Sequence, residues 1–395
     1  MAGLTRVRAL VIGSAVLVTA AAAVLVARAE LVGGCAASFG RDPSVSGGSF
    51  SRYQPPTIPY VGPGGAQWRI EHTPMLANEV SRLDDGRWQA VDAEPLANMT
   101  FHGPGAVAAD GDALLVMWTS GGKGETGPTH LALGDGRHWR IAGLPHADGY
   151  VSYADGVAIR TAHDGWAVGG EMKRSSYVEA ATPPNYVNRP FALHLDGSGW
   201  HPTHLPAGRY RLSAVDEVSS DDVWAGGLRS DTMAADNPTS DDADYTPVML
   251  HWNGSFWSSV RLPAVHGYVD QLVTTSADDI WAMLASVHSG PRLLHWDGTR
   301  WSTVALPDSL TPTGVVAGCG GLWVAGNNAG NGGELGFVTP DGRRSFRRIP
   351  TAGHELCHTG RLAGAPGLDT LWLETEYEVS GISDNDDVSR PETFH

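Results

Sequence analysis

A tryptophan-marked strand motif recurs along most of this chain, and it restricts the possible folds more than any other feature. Its sharpest copies are Asp221-Asp222-Val223-Trp224-Ala225-Gly226-Gly227 and Asp278-Asp279-Ile280-Trp281-Ala282, with looser ones around Trp118, Trp166, Trp323 and Trp372. A second motif alternates with it, strand, tight turn, strand: Leu294-His295-Trp296-Asp297-Gly298-Thr299-Arg300-Trp301, then Leu250 to Trp257 and Leu193 to Trp200, with weaker copies ending at Trp88, Trp139 and Phe346. Asp-Gly or Asn-Gly between β-prone runs predicts a hairpin, because these residues tolerate the positive φ of tight turns.

A further short apolar run precedes each Trp-Ala strand, as at Leu212 to Val218 and Val269 to Thr274. One unit therefore holds four antiparallel strands, A to D, over roughly 40 to 60 residues, the period of a propeller blade. The 50 Gly and 25 Pro suit many short elements joined by turns. The fold class is all-β, a β-propeller over residues 67–380. Six Trp-marked units predict six four-stranded blades, with a seventh left open by the unassigned Trp68. The hairpin from Glu79 to Val91 lacks A and B strands before it, and the unit at Trp372 lacks a hairpin after it. Pairing of these two terminal pieces in one blade is the expected closure, since it removes free sheet edges.

Ahead of the repeats, Arg6 and Arg8 precede an uncharged apolar run from Ala9 to Ala27, the layout of an export segment with an N-terminal hydrophobic helix. Residues 1–35 are thus a signal peptide or membrane anchor, residues 36–66 a Gly/Ser/Pro-rich tether and residues 381–395 a tail. Three fates stay open: cleavage at Ala27-Arg28-Ala29, lipidation at Cys35 within Val32-Gly33-Gly34-Cys35, or an uncleaved helix. The expected localisation is the extracytoplasmic side of the cell membrane, with release from the cell as the alternative. Parity would pair Cys319 with Cys357 and leave Cys35 for lipid. Blade register argues against that pair, because it puts the two on opposite faces.

The Asp-Asp-Val-Trp-Ala and His-Trp-Asp-Gly-x-x-Trp repeats resemble the Trp-rich propellers of bacterial extracytoplasmic proteins. In fold they are similar to sialidase-like Asp-box and galactose oxidase or kelch-like propellers. The resemblance implies the scaffold and no particular chemistry. The Asp-box pattern is not matched, because Asp297 directly precedes Gly298.

Strand alternation puts the B–C and D–A connections on one face, where three consecutive units carry long B–C insertions, roughly Ser120 to His130, Glu171 to Pro190 and Leu228 to Thr246. The D–A connections add Tyr150, Arg209, Tyr210, His266, Tyr268 and His354, with His146 nearby. These are the candidate ligand-binding residues for a glycan, peptide or partner protein, unless the tyrosines only pack the top of strand A. Asp231, Asp236, Asp241, Asp242 and Asp244 form an oxygen-rich loop of a kind that can hold Ca²⁺ outside the cell, but their spacing fits no calcium-binding pattern, which favours a solvated acidic loop over a calcium site; no other cofactor is expected. His194, His251 and His295 fall one per blade, which favours packing over a metal set. A formal net charge of -16, with no evident basic stripe, argues against nucleic acid. No hydrolase, zinc-protease or phosphate-loop motif is present. The reading is a monomeric, non-enzymatic binding module, with a polysaccharide hydrolase or lyase acting at the same mouth as the alternative.

Overall fold

The computed structural model describes residues 21–31, 35–41, 59–72, 78–96, 101–119, 129–148, 150–173, 189–229, 245–286, 292–318, 320–328, 332–349, 356–365 and 370–378. The chain is an all-β propeller. Six four-stranded antiparallel blades, each built from consecutive strands, follow one another. Blade 1 comprises Tyr60–Val61, Gln67–His72, Asn78–Asp84 and Arg87–Val91. Blade 2 comprises Phe101–Val107, Leu114–Thr119, Thr129–Gly134 and Trp139–Gly143. Blade 3 runs Tyr150–Thr161, Asp164–Lys173, Arg189–Asp196, Gly199–Pro202, and blade 4 Arg211–Ser219, Asp222–Arg229, Thr246–Trp252, Trp257–Ser259. Blade 5 runs Tyr268–Ser276, Asp279–Ala285, Arg292–Trp296, Trp301–Ala305, and blade 6 Leu310–Gly318, Gly321–Asn328, Gly333–Val338, Arg344–Arg348.

A seventh, composite sheet joins the two ends of the chain. Its first two strands, Leu356–Ala363 and Thr370–Glu378, are C-terminal, and its outer two, Ala21–Leu31 and Cys35–Arg41, are N-terminal. The termini therefore do pair, but not through the hairpin expected from sequence. That hairpin is completed within blade 1 by Tyr60–Val61 and Gln67–His72. The two-residue first strand is too short to leave a periodic signal, and Trp68 marks the second. Part of the run assigned to a hydrophobic helix is a strand here; residues 1–20 lie outside the described residues. Among the described residues, no helix is long and apolar enough to cross a membrane.

Packing explains the repeat. The second-strand tryptophans Trp68, Trp166, Trp224, Trp281, Trp323 and Trp372 are all buried. Trp166 meets Trp252 and Trp257 of the next blade edge-on, at 5.2 and 5.1 Å, and Trp224 meets Trp296 and Trp301 at 5.4 and 5.6 Å. The hairpins of blades 4 and 5 thus cover the second-strand tryptophan of the preceding blade. Burying an aromatic of this size contributes about 4–6 kcal/mol gross. Blade 2 departs from the expected register. Leu115, opposite Leu133, takes the place that Trp281 and His295 hold in blade 5, and Trp118 lies three residues further on, opposite His130.

The Asp-Gly and Asn-Gly turns are of two kinds. Asp85 and Gly86 both have positive φ, 49° and 72°, giving a two-residue turn. In Asp297–Arg300 only Gly298 does (86°), and the Asp297 carboxylate closes a four-residue loop by accepting from the backbone N–H groups of Thr299 and Arg300, both at 2.9 Å. Asp135, Asp196 and Asn253 close their loops the same way.

Candidate functional site

The first strands of successive blades pack on one another and so form the inner wall. In blades 3 to 6 each carries a β-bulge at the same place, which skips Asp155, Ser213, Asp270 and Thr313 in the pairing with the second strand. All four are polar and half-buried. A bulge re-aims side chains and recurs next to functional sites. Two residues before it, on the same side of the strand, lie Tyr153, Arg211 and Tyr268, also half-buried.

These groups reach across blade boundaries. Arg211 of blade 4 donates to both oxygens of Asp155 of blade 3, Nε to Oδ2 at 2.7 Å and Nη2 to Oδ1 at 2.6 Å. The Ser213 hydroxyl donates to the Val269 carbonyl of blade 5. Thr313 and Thr359 share a hydroxyl bond at 2.9 Å between blade 6 and the composite sheet, which Arg361 ties to blade 1 by stacking on Tyr60 at 4.3 Å. Tyr268 packs edge-on to buried Tyr245 at 6.1 Å. Its phenol is pushed up to about 12, chiefly by burial, with Asp270 adding to it.

The residues singled out from sequence divide. Tyr150 stands at the mouth with the Arg189 guanidinium over its ring at 4.8 Å; Arg189 pairs with Glu171 at 3.7 Å, and Glu171 accepts from the Ala147 N–H at 3.0 Å. Tyr268 belongs to the inner wall. Tyr210 does not: it is 5 % exposed, its hydroxyl donates to the Pro206 carbonyl at 2.7 Å, and burial pushes its pKa up to about 12. It packs the top of the first strand of blade 4. Arg209 and His266 are exposed. His354, the Asp231–Asp244 loop, Cys319 and most of each long B–C insertion lie outside the described residues. Cys35 and Cys357 are placed as strand residues only. Asp155 and Arg211 were missed because the bulge register that makes them face each other carries no signal in sequence. Among the described residues, no group of three or more His, Cys, Asp or Glu side chains could hold a metal.

The repeated histidines have a structural role. His251 and His295 donate from Nε2 to Oδ1 of Asp222 and Asp279, both at 2.8 Å, and the indole N–H of Trp224 and Trp281 reaches the same oxygens at 3.0 Å. Each imidazole also lies against its tryptophan, at 4.4 and 4.3 Å. His194 repeats the bond and the stack on Asp164 at 3.1 Å and Trp166 at 4.4 Å, without the indole bond: the Trp166 N–H is buried and makes no hydrogen bond. An ionised carboxylate only accepts, which assigns the proton to Nε2.

Further along the first strand of blade 4, Asp216 accepts from the Thr274 N–H at 2.7 Å and its hydroxyl at 3.1 Å, and burial raises its pKa to about 6. Both oxygens of neighbouring Glu217 are buried and make no hydrogen bond. Desolvation first, then Asp164 and Asp216, push its pKa up to about 9, against the opposing charge of Arg160.

No protein-family model and no curated protein sequence matches the chain. Solved structures do. The β-propeller domain of the Trilobed protease from Pyrococcus furiosus, of open velcro topology, is similar at TM-score 0.50 and 11% identity, covering 84% of this chain and 92% of that one. A prolyl endopeptidase is similar at TM-score 0.52 and 14% identity, covering 80% of this chain and 44% of that one. The fucose-specific lectin from Aleuria aurantia matches at 0.41 and 10%, over 75% and 95%. The first two likenesses show the fold and nothing more.

Proposed function

We propose that the chain is a non-enzymatic binding module that takes a polar ligand, a glycan, peptide or partner protein, at the face where the B–C connections meet the inner wall. The observation that carries this is the row of half-buried aromatic and polar groups Tyr153, Asp155, Arg211, Ser213, Tyr268 and Asp270 across three neighbouring blades, continued at the mouth by Tyr150 and Arg189. Amphipathic rings beside fixed hydrogen-bonding groups suit a hydroxyl- or amide-rich ligand. Asp155 gives both oxygens to one guanidinium, which favours a recognition surface over a free catalytic carboxylate.

The test is a glycan and peptide array read together with a polysaccharide hydrolysis screen. A ligand bound and released intact, with binding weakened about tenfold by Tyr153→Ala or Arg189→Ala, is the expected result. Turnover of a bound polysaccharide would replace this reading by the hydrolase or lyase one.

The same proposal places the chain outside the cytoplasm, attached to the cell membrane, on the strength of Arg6, Arg8 and the apolar run that follows. A membrane span and a blade strand are mutually exclusive uses of residues 21–31. Mass spectrometry of the mature N terminus decides: diacylglyceryl-Cys35 means a lipid anchor, an end at Glu30 means release, and an intact start means an uncleaved segment.

A further inference from the structure

The outermost strand of blade 6 differs from the others. Arg343, Arg344, Arg347 and Arg348 are all exposed within six residues, on a chain with 27 Lys and Arg among 395 residues and a formal net charge of -16. The fourth strand of a blade is hydrogen-bonded on one side only, and a charge or two is the usual guard against edge-to-edge pairing. Counted with the residue just before it, as Arg343 is, the outer strand of the other consecutive blades carries less: Arg87 in blade 1, Arg140 in blade 2, Arg300 in blade 5 and no Arg or Lys in blades 3 and 4. Four arginines exceed what edge protection asks for.

Phe346 turns inward and packs against the core between blades 5 and 6, which holds the strand in place. Arg343 is paired with Asp341 at 2.8 Å and Arg344 donates to the Ala305 carbonyl of blade 5. Glu334, opposite Arg348 in the ladder, accepts from Asn328 at 2.8 Å. Arg347 and Arg348 extend the row. Side chains alternate along the strand, so Arg343 and Arg347 flank one side of the edge and Arg344 and Arg348 the other; at about 3.3 Å per residue each pair spans about 13 Å, and both sides of the edge present guanidinium forks suited to carboxylate or sulfate groups.

We propose that this edge binds a linear acidic polysaccharide. The charges follow one strand rather than spreading over an area, since Trp301–Ala305 of blade 5 carries none and Arg300 before it lies 3.8 Å from Asp297, and this fits a chain polymer better than a membrane plane. The strand offers no exposed aromatic on which bases could stack, which disfavours single-stranded nucleic acid. The surface is separate from the inner wall, so this proposal stands or falls apart from the binding function proposed above.

The experiment uses the full chain with polygalacturonate and heparin as probes, in a salt series. The expected result is binding that weakens as salt rises, falls about tenfold in Arg347→Ser/Arg348→Ser and is partly kept in Arg347→Lys/Arg348→Lys, while Tyr153→Ala leaves it unchanged. An unaltered urea midpoint verifies the fold of each variant. Absence of binding by the wild type, full affinity in the Ser variant, or equal affinity for a single-stranded oligonucleotide or phosphatidylserine vesicles overturns the proposal.

Discussion

Replacing His295 by Phe tests whether the repeated Asp–His–Trp arrangement holds the blades together by its hydrogen bond or only by its stack. His295 is 6 % exposed, lies 4.3 Å from the Trp281 ring and donates to Asp279 at 2.8 Å. Phenylalanine keeps a ring against the tryptophan, as Phe337 does opposite Trp323 in blade 6, where Gly321 stands in place of the aspartate. What is lost is a bond to a charged acceptor, about 1.5–3 kcal/mol. Asp279 retains the Trp281 indole at 3.0 Å and the Thr275 hydroxyl, so the lower half of that range, about 2 kcal/mol, is expected. Asp279→Ala should cost a similar amount, and the double variant should fall short of the sum by about 1–2 kcal/mol. Urea unfolding followed by tryptophan fluorescence reads all three. The pH dependence has a defined sign. The bond from His295, first, then burial acting against it and the hydroxyl of Thr275, leave the Asp279 carboxyl below its usual value. Its contribution is therefore present above the unfolded carboxyl pKa and lost as pH falls through the folded one, and this acid limb should shrink in His295→Phe. Additivity of the two substitutions within about 0.5 kcal/mol, with the acid limb intact, would refute the reasoning.

Two further outcomes are expected. Glu217 is raised to about 9 in the folded protein, so folding takes up a proton and stability falls as pH rises from the unfolded carboxyl pKa towards 9; Glu217→Gln should remove that slope and stabilise the protein by about 2–3 kcal/mol at pH 7, with no gain below pH 4. Superimposable pH–stability curves for wild type and variant would sink this. Arg211→Met should cost about 2 kcal/mol by breaking the half-buried pair with Asp155, and Arg211→Lys should recover less than half, because an ammonium cannot serve both oxygens in plane. A lysine variant as stable as wild type in urea would show that the fork geometry is immaterial.

These predictions concern residues that differ in how far the sequence exposed them. Trp224, Trp281 and the His-Trp-Asp-Gly hairpins were legible because one side chain is asked to do one job in every blade, so the same letter recurs at the same spacing. Where another side chain does that job, the signal fails. Leu115 with Leu133 replaces tryptophan with histidine in blade 2, which drew the reading to Trp118, and a two-residue first strand hid the blade to which Trp68 belongs. The composite sheet was illegible for a different reason: its partners are more than 300 residues apart, and the apolar pattern of Ala21–Leu31 serves an export segment as well as a strand.

The candidate site follows the same logic. Tyr210 and Tyr268 occupy similar places after their Leu-Pro strand ends and look alike in sequence, yet one donates to Pro206 inside the core and the other faces the inner wall. Tyr210 lies one residue before Arg211, and Tyr268 sits in the ladder place that Arg211 holds, two before the bulge. Strand side chains alternate with period two, so a displacement of one residue is enough to exchange a place in the packed core for one on the inner wall. A blade architecture makes the scaffold readable by repetition, and hides the candidate site for the same reason: the inner wall varies where neighbouring blades depart from one another, as Asp155, Ser213, Asp270 and Thr313 do at a single shared bulge.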